Sequence, residues 1–386
     1  MHPLVAPALL FLSNALMHIT LFIRLPEIAT GAGLDKAELG LAMLAGTVGT
    51  LLALPIAGTV TDRLTPRVAA ASMLCANAAM MPLFALVPGW AIPVMFAVYT
   101  FVRSILEVAQ NMVAIGIEHR TGKSVLSRSH GFWSVGLLVG SLLAGAIAGV
   151  GTVPALHQAI ISGLVLVLMA GFLAIAPRSV PLSRLPGAER GPLFAVPTIP
   201  VLLVCAMVIG ISLTEGTVYD WSVFYLQEVV GIDVATAGVV FAAFTVGMGG
   251  TRMVGDMLRA RFSGMVLVRG SALVCIAGMT TLLLAEGPIV AGLGLFMLGA
   301  GVALNAPLGV TVISRLPGRS PSQNMAAMSL AMLIATFGVP AGFGYVAEYV
   351  GLAAVFAGLI PLLVLSFLMA PVAGRFRPRD AQPQPA

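Results

Sequence analysis

The chain reads as an all-α membrane protein of twelve spans arranged as two similar six-helix halves. Three observations predict this. Of its 386 residues, 59% are hydrophobic and only 9% charged, and the mean hydropathy is +1.03; no soluble domain has that balance. Divided by the roughly 20 residues that a helix needs to cross a bilayer, plus short loops, the length accommodates about twelve spans. A Gly/Asp/Arg segment also recurs, with Asp62 and Asp256 separated by 194 residues, which is the mark of a duplicated half.

The first span is expected over 3–23, retained rather than cleaved, since it lacks a basic leader and a small-residue cleavage site. Asn14 and His18 lie four apart and share one face. Pro26, in the run from Arg24 to Glu27, is expected to close the helix, because proline breaks the backbone ladder. The second span, 37–60, is rich in small residues that permit close helix approach. It leads into the polar turn Asp62-Arg63-Leu64-Thr65-Pro66-Arg67. A third span follows over 68–87.

The fourth apolar run, 91–117, carries Arg103, Glu107 and Asn111 at intervals of four, so a cation, a carboxylate and an amide stack along one face. Charge at that depth costs at least a few kcal/mol per residue and marks a solute or ion pathway by default. A static buried ion pair is the alternative. The segment from His130 to Gly136 opens the fifth span, with Trp133 and His130 read as an aromatic anchor at the interface. The sixth span covers 155–175.

Residues 177–198 break the composition with prolines, arginines and a glutamate, and read as a linker between halves 1–176 and 199–374. The seventh span starts near 199 and carries Glu215, Asp220 and Trp221, read as lying in its outer third. Spans over 234–254, 265–285, 289–313 (with Asn305 and Pro307), 325–346 and 352–372 complete the second half. Residues 375–386 form a Pro-rich tail, expected to be disordered.

Seventeen of the twenty Lys and Arg, including Arg252 and Arg269, fall in or beside alternate loops and the tail; only Arg24 and Lys36 fall on the other side. The positive-inside rule then places those loops and both termini in the cytoplasm. The net charge of +5 therefore reflects topology, and no nucleic-acid partner is implied. Cys75, Cys205 and Cys275 lie in apolar runs, with neither disulfide nor metal spacing. No phosphate-binding Gly loop with Lys is present, which disfavours ATP drive. No metal, cofactor or enzymatic constellation appears.

The turn after the second span resembles the signature loop of the major facilitator superfamily. Gly58, Asp62, Arg63 and Arg67 match it, the second copy keeps Asp256 and Arg259, and Thr65-Pro66 departs from the usual glycine turn. The resemblance covers essentially the whole chain and implies the major facilitator fold. It also implies that Asp62, Arg63, Arg67, Asp256 and Arg259 gate the conformational cycle at the cytoplasmic ends. The segments Arg24–Ile28, Ser129–Ser134 and Glu215–Ser222 look like one bacterial inner-membrane branch related to the fucose:proton symporters. Those carry a glutamate and an asparagine four residues apart in helix 4, as Glu107 and Asn111 are here. The aspartate those symporters have in helix 1 is missing, and Arg103 departs from their pattern.

The resulting expectation is a monomeric inner-membrane transporter of a small polar solute, coupled to protons. Glu107 and Glu215 are the candidates for proton coupling. Asn14, His18, Arg103, Asn111, Asp220, Trp221 and Asn305 are the candidates for solute binding, although Asn14, His18 and Asn305 read equally well as links between helices. Efflux of a metabolite or drug, and a sensor that moves nothing, stay open.

Overall fold

The computed structural model describes residues 4–123, 125–176 and 195–375. The linker expected over 177–198 lies mostly outside these residues, as does nearly all of the tail. Among the described residues there are no strands, and twelve helical spans are long and apolar enough to cross a membrane. The first six are α1 (Val5–Gly31), α2 (Lys36–Leu64), α3 (Pro66–Met80), α4 (Ile92–Thr121), α5 (Leu126–Gly149) and α6 (Pro154–Ile175). Then come α7 (Ile199–Glu228), α8 (Val234–Arg261) and α9 (Gly264–Leu283). The last three spans are interrupted: α10 and α11 (Pro288–Val302, Asn305–Ile313), α12 and α13 (Pro321–Thr336, Val339–Tyr349), and α14 to α16 (Leu352–Ala357, Leu359–Met369, Val372–Arg375).

Several boundaries differ from expectation. Pro26 lies inside α1, which runs on to Gly31; an interior proline is tolerated where neighbouring groups re-satisfy the backbone. Pro26 leaves the Phe22 carbonyl without its helical donor; one turn on, Thr30 Oγ1 donates to the Pro26 carbonyl at 2.9 Å. Asp35 and Glu38 form a reciprocal capping box that starts α2. Asp233 caps α8, and the N–H and hydroxyl of Thr236 hold its carboxyl below the usual carboxylate range. The Gly/Asp/Arg segments are helical ends rather than loops: Asp62 and Arg63 belong to the last turn of α2, and Arg252, Asp256 and Arg259 belong to α8. The breaks in the last spans follow prolines. Pro307 and Pro340 lack the N–H that would bond four residues back, to Ala303 and Thr336, and α10 and α12 stop at those points.

Packing repeats with a shift of six spans. In the first half α2 packs on α4, α3 on α4, and α1 on α6; in the second α8 packs on α10, α9 on α10, and α7 on α15. The halves meet through α2 against α13 and α5 against α8, pairs that the same shift exchanges. These two seams are closest toward the face opposite the termini. A Cβ on Gly40 would stand 2.6 Å from the Pro340 carbonyl oxygen and 2.9 Å from Gly344 Cα. One on Gly145 would stand 2.6 Å from the Ala235 oxygen, and one on Gly238 2.8 Å from the Ser141 oxygen. Only glycine allows backbones to approach so closely. Lys36 closes the same face, with its ammonium 3.0 Å from Glu228 and 3.9 Å from Glu348.

At the terminal face the residues expected to gate do not bridge the halves. Asp62 and Arg63 are exposed. Asp256 and Arg259 pair with each other on α8, and Arg67 donates to the Leu173 carbonyl within its own half. The halves are thus closely packed at the face opposite the termini, and at the other face the charges of Asp62, Arg63, Arg67, Asp256 and Arg259 make no bond from one half to the other among the described residues.

Thr65 is the one non-glycine with positive φ among the described residues, at φ +70° and ψ +146°. It occupies the turn where the resemblance expects glycine, and such a conformation costs a branched residue about 1–3 kcal/mol. Its hydroxyl accepts the Val68 N–H at 3.5 Å, a weak return. Thr65→Gly is expected to raise unfolding stability by about 1 kcal/mol, read as a higher unfolding midpoint in detergent. Replacing Gly40 with leucine wedges the α2–α13 seam apart. A reporter cysteine at Leu213, which lines the cavity, should then label several-fold faster with an impermeant maleimide applied from the face opposite the termini.

Candidate functional site

Three apolar walls bring the polar residues together: α1 and α4 from one half, α7 and α8 from the other, and α5 between them. On α4 the spacing of four puts Arg103 Nη2 2.8 Å from Glu107 Oε1. The pair is not sequestered: Glu107 is 43% exposed although it lies at the middle of α4. Asn111 turns back along its own helix and donates to the Glu107 carbonyl at 2.8 Å, so it continues the stripe without touching the carboxylate.

The Arg103 guanidinium lies over the Trp133 ring, 5.4 Å from its centroid, a cation–π contact of about 0.5–2 kcal/mol. This corrects the reading of Trp133 as an interfacial anchor. Because α5 starts at Leu126, Trp133 sits two turns inside. It leads the Gly136–Gly140 seam, where added Cβ atoms would meet Leu12 and Ile19 of α1. His130 likewise packs edge-on against Phe11. The glycine seam was the available signal for that face. His18 completes an aromatic cluster, its ring 6.0 Å from Trp133, 5.9 Å from Tyr219 and 4.7 Å from Phe22, and its Nδ1 is buried without a partner.

Glu215 lies near the middle of α7 rather than in its outer third, 3.7 Å from Arg252 of α8. Arg252 was expected beside a cytoplasmic loop; the apolar pattern continues through α8 and carries it into the bundle. Its other nitrogens reach Ser134 Oγ of α5 at 3.4 Å and the Ala303 carbonyl at 3.5 Å. That carbonyl is the one that Pro307 leaves without a helical donor. Arg252 thus touches its own half, the opposite half and the bend of the tenth span.

Asn14 and Asn305 are buried between helices. Asn14 Nδ2 donates to Gln110 of α4 at 3.3 Å, and Asn305 Nδ2 donates to Ser212 Oγ at 2.8 Å and to the Val208 carbonyl at 3.3 Å. They link span 1 to span 4 and span 10 to span 7, the same pairing in each half. In this conformation both face helix interfaces and not the cavity.

A cavity of about 360 Å³ lies between the halves, lined by Asp220, Thr217 and Ser212 of α7, Thr47 of α2, and Thr336 and Phe343 of the eleventh span. Its size suits a small solute. Trp221 borders it but is 1% exposed and stacks on Phe224. Among the described residues no group of three or more His, Cys, Asp or Glu is placed to hold a metal. The sequence reading did not single out Tyr219, Gln110, Thr47 or Thr336, and reached Arg252 and Trp133 only with other roles. Thr47 and Thr336 carry no signal of their own, because isolated hydroxyls are common in membrane helices.

The profile of the Major Facilitator Superfamily matches residues 7–340. An MFS-type transporter of Yersinia pestis is 26% identical over 86% of this chain and 86% of its own. The crystal structure of the nucleoside transporter NupG superposes with a TM-score of 0.74 at 12% identity, covering 98% of this chain and 100% of that one. A D-xylose–proton symporter superposes at 0.64 and 15% identity, covering 97% and 96%. At such identities the likeness to solved structures is one of fold. With twelve spans, two interlocked halves and a central charged cavity, the chain belongs to the Major Facilitator Superfamily, as a solute transporter and not an enzyme.

Proposed function

We propose that this transporter takes up a small polar solute across a bacterial inner membrane together with protons. Its terminal face is cytoplasmic, as the distribution of Arg and Lys favours, so the conformation described is the inward-facing one. The Arg103–Glu107 pair carries this reading. A static structural pair has no need to leave its carboxylate 43% exposed at the middle of a span, whereas one that exchanges a proton does. Glu107 has two alternative ligands, the guanidinium and a proton, and cannot hold both. The pair seen here is the guanidinium-bound member of that exchange, suited to the state facing the cytoplasm.

In the outward-facing state Arg103 turns to the solute and Glu107 takes the proton. Trp133 gives the guanidinium a surface to move across. Glu215 repeats the arrangement with Arg252 in the other half and is the second coupling candidate. The gating charges Asp62, Arg63, Arg67, Asp256 and Arg259 engage when the cytoplasmic face closes. Support from similarity is limited to the fold of the xylose–proton symporter.

Proteoliposomes with an imposed proton-motive force and a panel of solutes test this. A proton crossing about 100 mV supplies about 2.3 kcal/mol, enough to concentrate a coupled solute about 50-fold. Wild type accumulates its solute to that order. Glu107→Gln is expected only to equilibrate it, while counterflow exchange persists. Gradient-driven accumulation at the wild-type level in Glu107→Gln would refute the coupling role. Trp133→Leu removes the ring under Arg103 and is expected to lower the uptake rate by about threefold to tenfold, with Trp133→Phe retaining most of it.

A further inference from the structure

The Arg103, Glu107, Glu215, Asp220 and Arg252 side chains stand near the middle of α4, α7 and α8, and of these five only Asp220 lines the cavity. Each guanidinium is taken by a glutamate: Arg103 by Glu107 at 2.8 Å and Arg252 by Glu215 at 3.7 Å. Asp220 is the carboxylate left without a counter-ion. Among the described residues Asp220 has no ion pair and accepts no hydrogen bond. Arg103 acts on it electrostatically from a distance, beyond contact range.

The surroundings of Asp220 are oxygen-rich and donor-poor. Pro340 leaves the Thr336 carbonyl without its helical N–H, and α12 stops at that residue. Thr336 and Pro340 line the same cavity as Asp220. The Thr217 hydroxyl spends its proton on the Leu213 carbonyl at 2.7 Å, leaving its lone pairs free. Ser212 and Thr47 add two more hydroxyls. One carboxylate, a carbonyl that lacks its helical donor at a helix break and several hydroxyl oxygens form a ligand set for a cation. Interrupted membrane helices present such carbonyls to monovalent ions and cationic groups. A single carboxylate suits one positive charge, and a divalent metal would call for more.

We infer that Asp220 and the break in the eleventh span form a subsite for a monovalent cationic group, either an ammonium carried by the solute or a sodium ion. This deepens the proposed function, since it rests on the cavity being the solute site. An ammonium offers three donors to this ring of acceptors, and Trp221 and Phe343 give the remainder of a small solute apolar walls.

The test reads the cavity without any gradient or known solute, so it stands apart from the Glu107→Gln assay. Cys75, Cys205 and Cys275 are replaced by alanine and Thr47 by cysteine. That cysteine is modified with a cationic trimethylammonium-ethyl methanethiosulfonate or an anionic sulfonatoethyl one, each rate normalised to a free thiol. The cation should react faster by about tenfold, as an unpaired carboxylate in a low-dielectric cleft focuses its field. Asp220→Asn should bring the two rates near parity, and Asp220→Glu should keep the preference. No preference, or one unchanged in Asp220→Asn, overturns the subsite. Two competitors at constant ionic strength then identify the occupant. Sodium replacing potassium slows the cationic reagent if the site takes sodium; ethanolammonium slows it, and sodium does not, if it takes the solute's ammonium. Either result supports the subsite, and competition by neither overturns it.

Discussion

Inside a hydrocarbon layer every polar group must find its partner within the protein, because no water is there to supply one. The architecture of this chain follows from that constraint. Regular helices settle most of the backbone. The exceptions are the prolines, each of which leaves one carbonyl unmatched, and the charged side chains, which must meet each other or line a cavity. Prolines and charges accordingly occur together. Pro307 opens a carbonyl that Arg252 fills, and Pro340 opens one at the level of Asp220. What is costly in lipid is gathered at the centre, where the two halves can open a path to water.

The same constraint explains how the halves hold together. Hydrophobic burial gives little reason for helices to associate in lipid, so close backbone approach and interhelical hydrogen bonds carry more of the load. Glycine-on-backbone seams provide the first, between α2 and α13 and between α5 and α8. The Asn14–Gln110 and Asn305–Ser212 bonds provide the second, within each half. The seams join the moving parts and the amides join the rigid ones, a division suited to two bodies that rock against each other.

Much of this was legible in the residues. Hydropathy located all twelve spans, and the spacing of Arg103 and Glu107 placed them on one helix face before any coordinates. Helix ends were less legible. Pro26 looked like a terminus, yet α1 runs on to Gly31, because a proline removes one bond of the ladder and the helix can resume beyond it. Arg252 was placed beside a loop because a charge near the end of an apolar run reads as its boundary; the facing Glu215 on another helix shows otherwise. Trp133 was assigned to the interface for a similar reason, since its partner Arg103 lies on a different helix. Contacts across helices are long-range facts, and a single chain without its relatives carries little record of them.

The bond from Arg252 to the Ala303 carbonyl has a mechanical consequence. The guanidinium is at once the counter-ion of Glu215 and the pin of the bend in the tenth span. Neutralising Glu215 therefore loosens more than an ion pair. It frees the pin, and with it the curvature of a span whose two segments can then change their angle. Chemistry at one carboxylate is in this way geared to the shape of a neighbouring helix, with the proline as the fixed tooth and the arginine as the movable one.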